Sequence, residues 1–304
     1  MRPVQMRNFT LDPLVDKLRW VMLAVMLAGV GLTLAGQPSA YWSDPAAAIR
    51  GDGLGIHDST NHSFEFFLGY GWRAYLVCSL VYIAVAFLLV STLPRWVALV
   101  LLFTVTLTHV YAGTNWLAIR WQVGMLASSV YGLGVGVPMA RLIAALAPAG
   151  QELNRRVRWI AAATLLADMS LTLLGQPNTY WSHPETAYEG NVVSRYFLVH
   201  GWVAFGSYDA VYALALLFAI SALPRPAGLT VAFYFIVVSF DGASNWLFFV
   251  WREGMPAVIG YASLVSLLLV GTMQRGHHSL PLLSRWCCAG HRRSQARHPC
   301  PVFK

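Results

Sequence analysis

A fourteen-residue phrase occurs twice in this chain. Residues 32–45 read Leu-Thr-Leu-Ala-Gly-Gln-Pro-Ser-Ala-Tyr-Trp-Ser-Asp-Pro. Residues 171–184 read Leu-Thr-Leu-Leu-Gly-Gln-Pro-Asn-Thr-Tyr-Trp-Ser-His-Pro, 139 positions later. A second track follows at an offset of 130. It joins Gly71-Trp72 to Gly201-Trp202, Leu93-Pro94-Arg95 to Leu223-Pro224-Arg225, Asn115-Trp116 to Asn245-Trp246, and Gly124-Met125 to Gly254-Met255. Two tracks in register point to a tandem duplication, and a repeat constrains the architecture before any single element is considered. It also provides an internal control. What both copies keep serves the fold, and what one copy alone carries is available for function.

The repeated unit is written in apolar residues. Hydrophobic types make up 57% of the 304 residues and charged types only 11%, with a mean hydropathy of +0.55. Soluble domains carry about 25% charged residues, so this chain has too little charge to wet a globular surface. Each copy divides into four apolar segments long enough to cross about 30 Å of hydrocarbon. They lie near 20–36, 71–93, 96–119 and 123–146, then 159–175, 201–223, 227–250 and 256–273. The expected fold is an all-α integral membrane protein, with eight transmembrane helices as two tandem parallel four-helix repeats. Residues 1–150 form the first repeat with its N-terminal segment, 151–275 the second, and 276–304 a basic tail containing Cys and His. Residues 151–158 read as the linker. Pro138 is expected to kink the fourth helix. The first apolar run follows basic residues, as a signal peptide would. Its counterpart lies mid-chain, so the run is expected to be a retained helix.

Four spans per copy make both copies enter the membrane in the same sense, related by an axis along the membrane normal. Sixteen of the 21 Lys and Arg residues fall on the side of the N-terminus. The positive-inside rule then places both termini in the cytoplasm of a plasma (inner) membrane. The net charge of +8 does not suggest nucleic acid, because no basic helix alternates with stacking aromatics. The partners expected are the lipid bilayer and a membrane protein at the aromatic outer face. Eight of the twelve Trp residues (Trp42, Trp72, Trp116, Trp121, Trp181, Trp202, Trp246 and Trp251) fall at that outer level. An aromatic belt is the ordinary reading of interfacial Trp.

Three acids break the repeat. Asp168, Asp209 and Asp241 lie inside apolar segments of the second copy, where the first copy has Gly29, Ser79 and Tyr111. The scaffold therefore does not need them, and charge inside a bilayer normally marks a site. At ~1.5 Å per helical residue they sit ~14–21 Å deep, so three helices could gather them around one polar cavity. The bland alternative is that each bonds a neighbouring helix. His109, whose counterpart is Ser239, lies at a similar depth. It could relay protons or bind haem, although a His bonded within the bundle is the plainer reading. Asn245 joins these residues as a polar group at the end of its helix. The ligand- or ion-binding candidates are thus Asp168, Asp209, Asp241, His109 and Asn245.

Other features read as structure. Gly132 and Gly136, with Ala262 and Ser266 as counterparts, suggest close helix packing. The repeated Gln-Pro turn stops the first helix of each copy, and its Gln could cap freed carbonyls. The loop at 51–62 has no EF-hand or zinc spacing, so no metal is assigned. Cys78 lies in an apolar run, and Cys287, Cys288 and Cys300 lie in the tail. None has a counterpart, which suits free thiols in a reducing compartment. No nucleophile elbow, phosphate loop or dinucleotide fingerprint occurs, which leans against an enzyme. No cofactor is assigned. Two functions remain: binding or moving a small solute or cation at a polar site in the second repeat, or serving as a non-catalytic subunit of a larger energy-transducing or photosynthetic membrane complex.

Overall fold

A computed structural model describes residues 12–37, 39–46, 62–121, 124–146, 152–251 and 254–278. The described residues are helical with no strand. Eight helices are long and apolar enough to cross a membrane. These are α1 (Pro13–Ala35), α2 (Trp72–Thr92), α3 (Arg95–Trp121), α4 (Gly124–Leu146), α5 (Glu152–Leu174), α6 (Trp202–Ala222), α7 (Arg225–Asn245) and α8 (Gly254–His278).

Several helices begin earlier than the apolar runs that announce them. Helix α1 starts at Pro13, where the Asp12 carboxylate accepts from the Leu14 and Val15 amides. Pro suits this first turn because its missing N–H would have no partner there. Leu14, Val15 and Leu18 are buried, so the added turns pack although charged residues interrupt them. Helix α5 likewise begins at Glu152, with an ion pair from Arg156 to Glu152 and with Leu153 and Val157 buried. From Glu152 onward, the linker expected at 151–158 is therefore about the first two turns of a helix. Helix α4 continues unbroken through Pro138.

Two helices form the middle of the bundle. In the most apolar stretch of each span, 72% of α3 and 61% of α7 is buried, against 28% of α2 and of α6. Helix α1 packs on α2, α3 and α4, and α5 packs on α6, α7 and α8. Helix α3 also meets α8, α4 meets α7, and α3 meets α7. Lipid tails are as apolar as Leu, so such contacts depend on close fit and not on exclusion of water. The small residues supply that fit. A Cβ on Gly136 would lie 3.2 Å from the Tyr234 backbone nitrogen, and one on Gly132 would lie 3.2 Å from Val238. Across the bundle Ala262 and Ser266 are fully buried, and Thr104 of α3 donates to Ser266 Oγ at 3.2 Å. Helices α2 and α6 turn rows of Val, Leu and Phe outward, including Val77, Val81, Val85, Val211, Leu214 and Phe218.

The two Gln-Pro turns share their bonds. Gln37 Nε2 donates to the Thr33 carbonyl and Gln176 Nε2 to that of Thr172, at 3.0 and 2.9 Å. Each amide thus caps a carbonyl that the ending helix frees. Tyr41 and Tyr180 are buried, and their hydroxyls donate to the carbonyls of Leu68 and Leu198, both at 3.2 Å. Those carbonyls belong to two short helices, His62–Gly69 and Val192–Leu198, which apolar length alone does not announce. Gly71 and Gly201 then enter α2 and α6 with φ near +98°. A side chain at either position would be strained. At the opposite end of the bundle, Arg19 donates to Ser91 Oγ and Arg158 to Ser221 Oγ.

Candidate functional site

A cavity of about 520 Å³ opens between α5, α6 and α7. Asp168, Asp209, Asp241 and Asn245 all line it. Each reaches it by a different local device. Asp168 is partly buried on α5 and faces Gly242 of α7. A Cβ at position 242 would stand 2.6 Å from both carboxylate oxygens, so only Gly lets α7 come this close to the acid. Asp241 is buried on α7 and accepts a short hydrogen bond from the Thr114 hydroxyl of α3. Asp209, on α6, is 4% exposed, and its Oδ2 has no hydrogen-bond partner among the described residues. An unsatisfied oxygen in such a place is costly unless a ligand or water meets it.

The loop between α5 and α6 closes the end of the cavity nearest the Gln-Pro turns, through Tyr188, Glu189, Gly190, Asn191 and Ser194. Gln176 fixes that loop. Its Nε2 donates to the Tyr188 carbonyl at 2.9 Å, and its Oε1 accepts from the Tyr188 amide at 2.8 Å. The next residue, Glu189, brings a fourth carboxyl. Burial pushes this carboxyl above its ordinary range, partly offset by the amides of Asn191 and Gly190. Asp168 lies within electrostatic reach of Glu189, Asp241 and Asp209. Among the described residues no Lys, Arg or His lines the cavity. Four carboxyls without a basic partner cannot all carry charge unless a cation joins them.

The remaining wall is aromatic. Tyr208 stacks on Phe197 with ring centroids 4.2 Å apart and on Tyr212 at 5.9 Å, and Tyr212 meets Phe235 edge-on at 5.5 Å. Trp246 opens a π-helical turn, Trp246–Val250, that continues α7. Such turns recur at functional sites. Trp246 is 7% exposed and lines the cavity beside Tyr188. This corrects its assignment to the aromatic belt: its ring packs inward over Gly175. Trp42, Trp72, Trp181, Trp202 and Trp251 are exposed, as belt residues should be. The side chains of Trp116 and Trp121 lie outside the described residues.

His109 stands apart from the acids. Its Nδ1 lies 2.8 Å from the Val105 carbonyl, and its ring stacks on Tyr82. A carbonyl only accepts, so Nδ1 carries the proton. His109 packs beside Gly29 of α1 and does not line the cavity. Cys78 is partly buried on α2. The loop at 51–61 and the three tail cysteines lie outside the described residues.

Four participants escaped the sequence reading. Glu189 is a loop acid, and no periodicity marks a loop that folds back over a cavity. Asn115 and Thr114 belong to α3, and only the crossing of α3 with α7 brings them to acids of the other half. Gly242 carries no chemistry in its type. The one available signal was Asn115, which repeats as Asn245.

Comparison with known protein families, curated proteins and solved structures gives no match. The class therefore rests on the fold, and eight apolar helices are consistent with a multi-pass membrane protein.

Proposed function

We propose that this protein binds a small cation or cationic solute in the cavity between α5, α6 and α7 and moves it across the membrane. One observation carries the reading. Asp168, Asp209 and Asp241 come from three different helices and line a single cavity with no basic residue among its described lining. Structural carboxyls in a membrane are paired with cations or bonded to neighbouring helices. Asp209 Oδ2 has neither kind of partner among the described residues.

The chain is read as two tandem parallel four-helix repeats. The matched sequence tracks, the equivalent turn hydrogen bonds and the reciprocal pairing of α3 with α8 and α4 with α7 support this. Both termini lie in the cytoplasm, on the positive-inside count. Labelling of Cys287, Cys288 or Cys300 by a membrane-impermeant maleimide added from outside would contradict that orientation.

Purified protein in liposomes tests the function. On a solid-supported membrane, steps of Na⁺, K⁺, tetraethylammonium and 2-phenylethylammonium are applied to the wild type and to Asp209→Asn. A current in the wild type that the variant lacks supports transport, and silence to every cation rejects it. The second reading, a subunit of a larger membrane assembly, draws on exposed aromatics around the Gln-Pro turns, among them Trp42, Tyr70, Trp181 and Tyr188. It predicts stable copurification with defined subunits and no response to any cation.

A further inference from the structure

We infer that the ligand is an organic ammonium ion with an apolar or aromatic body, and not a bare metal ion. This rests on the cation-site reading above and narrows it.

Three observations point the same way. The first is the spread of the acids. Among the described residues no three His, Cys, Asp or Glu side chains converge as a metal cage. A hard metal ion needs several oxygens at about 2.0–2.6 Å. The cavity instead spaces its carboxyls around about 520 Å³. That volume lies in the range of sites for small organic ligands, roughly 300–1,000 Å³.

The second is the wall facing the acids. Asp209 is one residue from Tyr208 and three from Tyr212 on α6, and all three line the cavity. Tyr208 and Tyr212 lie nearly parallel, 11° apart, with Phe197 stacked beyond Tyr208. Carboxylates beside aromatic rings suit an alkylated ammonium ion. The rings cover its carbon atoms and shield its charge from water beside the carboxylates. A strongly hydrated inorganic ion gains little from them.

The third is an unmet polar atom. Asp209 Oδ2 is buried and makes no hydrogen bond among the described residues, and a small rotation of the carboxylate offers it to an N–H of the ligand. Asn115, 4% exposed and beside the Tyr111 hydroxyl, lines the cavity on the α3 side. A lone acid acceptor and a neutral amide across one cavity suit a ligand with a cationic end and a polar end joined by an apolar body.

The test uses the full chain in lipid nanodiscs and follows the melting temperature. The probes are 2-phenylethylammonium, tetraethylammonium, the neutral analogue 2-phenylethanol, Na⁺ and Ca²⁺. At least one ammonium probe is expected to raise the melting temperature saturably, while 2-phenylethanol, Na⁺ and Ca²⁺ have no saturable effect. Asp209→Asn should weaken that binding by about tenfold or more, and Tyr208→Leu by roughly tenfold through loss of the aromatic wall. The comparison among probes needs no variant, so a variant that fails to fold leaves the test intact. Saturable binding of Na⁺ or Ca²⁺ with no response to either ammonium probe would overturn this inference and leave the cation-site reading standing. Equal binding of 2-phenylethanol would overturn it by removing the role of charge. No response to any cation would overturn both readings together.

Discussion

Two regions of the bundle, at positions matched by the sequence tracks, are built differently. Between α1, α2 and α3 the positions matching the acids hold Gly29, Ser79 and Tyr111. Tyr111 is fully buried, and His109 fills the space beside Gly29 while stacking on Tyr82. Between α5, α6 and α7 the matching positions hold Asp168, Asp209 and Asp241. Ser239 replaces His109, and Gly242 replaces Ala112. One region is filled by rings, and the other is hollow and carries acid. Yet the turns, helix pairings and positive-φ glycines that frame them agree. The acids are thus not what shapes this arrangement of helices. Exchanging residues between the two regions should therefore have unequal consequences.

The largest effect is expected from carrying an acid into the filled region. Tyr111→Asp removes a buried ring and places a carboxyl near Asp241. It should cost about 3–5 kcal/mol by cavity formation and unpaired charge, read as lost yield or a large fall in melting temperature. Removing the charge in the hollow region by Asp241→Asn keeps an acceptor for the Thr114 hydroxyl. It should fold near wild-type level and lose the cation response. Next comes the frame. Gly136→Val drives a side chain into the Tyr234 backbone and should cost roughly 1–3 kcal/mol by overpacking, measured by melting in nanodiscs. The turns should behave alike. Tyr41→Phe and Tyr180→Phe each lose one buried hydrogen bond and should each cost about 1 kcal/mol. Clearly unequal losses would weaken the equivalence of the two turns.

The smallest effect concerns pH. The folded Glu189 carboxyl titrates above its ordinary value of 4.5 because burial disfavours its charge. Its favourable contribution is therefore full below that value and is lost as pH rises through the folded one. The wild type should gain melting temperature relative to Glu189→Gln on acidification through the carboxylate range. The gain is modest because Glu189 is only partly buried. A difference that stays flat with pH would show that the loop leaves this carboxyl in water.

The sequence made the frame legible, and the reason is physical. A membrane span must be long and apolar, so eight runs declare eight helices. A turn that recurs with Gln, Tyr and Gly in register declares its bonds. The acids were legible because charge in an apolar run is rare, and the repeat showed which side lacked it. Three things were hidden. Helix ends such as Glu152–Arg158 are charged yet still packed, so hydropathy sets the start too late. Glu189 reaches the cavity through a fold-back of its loop that Gln176 holds, a contact across twelve residues with no period. Trp246 has the sequence context of an interfacial Trp, yet its ring is buried beside Tyr188 and over Gly175, contacts with no period in the sequence.

Asp209→Asn tests the central claim most directly, through two melting curves of purified protein, one without ligand and one with saturating 2-phenylethylammonium. The Oδ2 atom of Asp209 is buried without a partner, so removing its charge removes a cost to the empty fold. The expected result is an unliganded variant that melts at or above the wild type and gains little from the ammonium ion, while the wild type gains clearly. A variant that melts far below the wild type, or that gains as much from the ligand, would contradict the account: the first would make Asp209 a structural residue, and the second would put the ligand elsewhere.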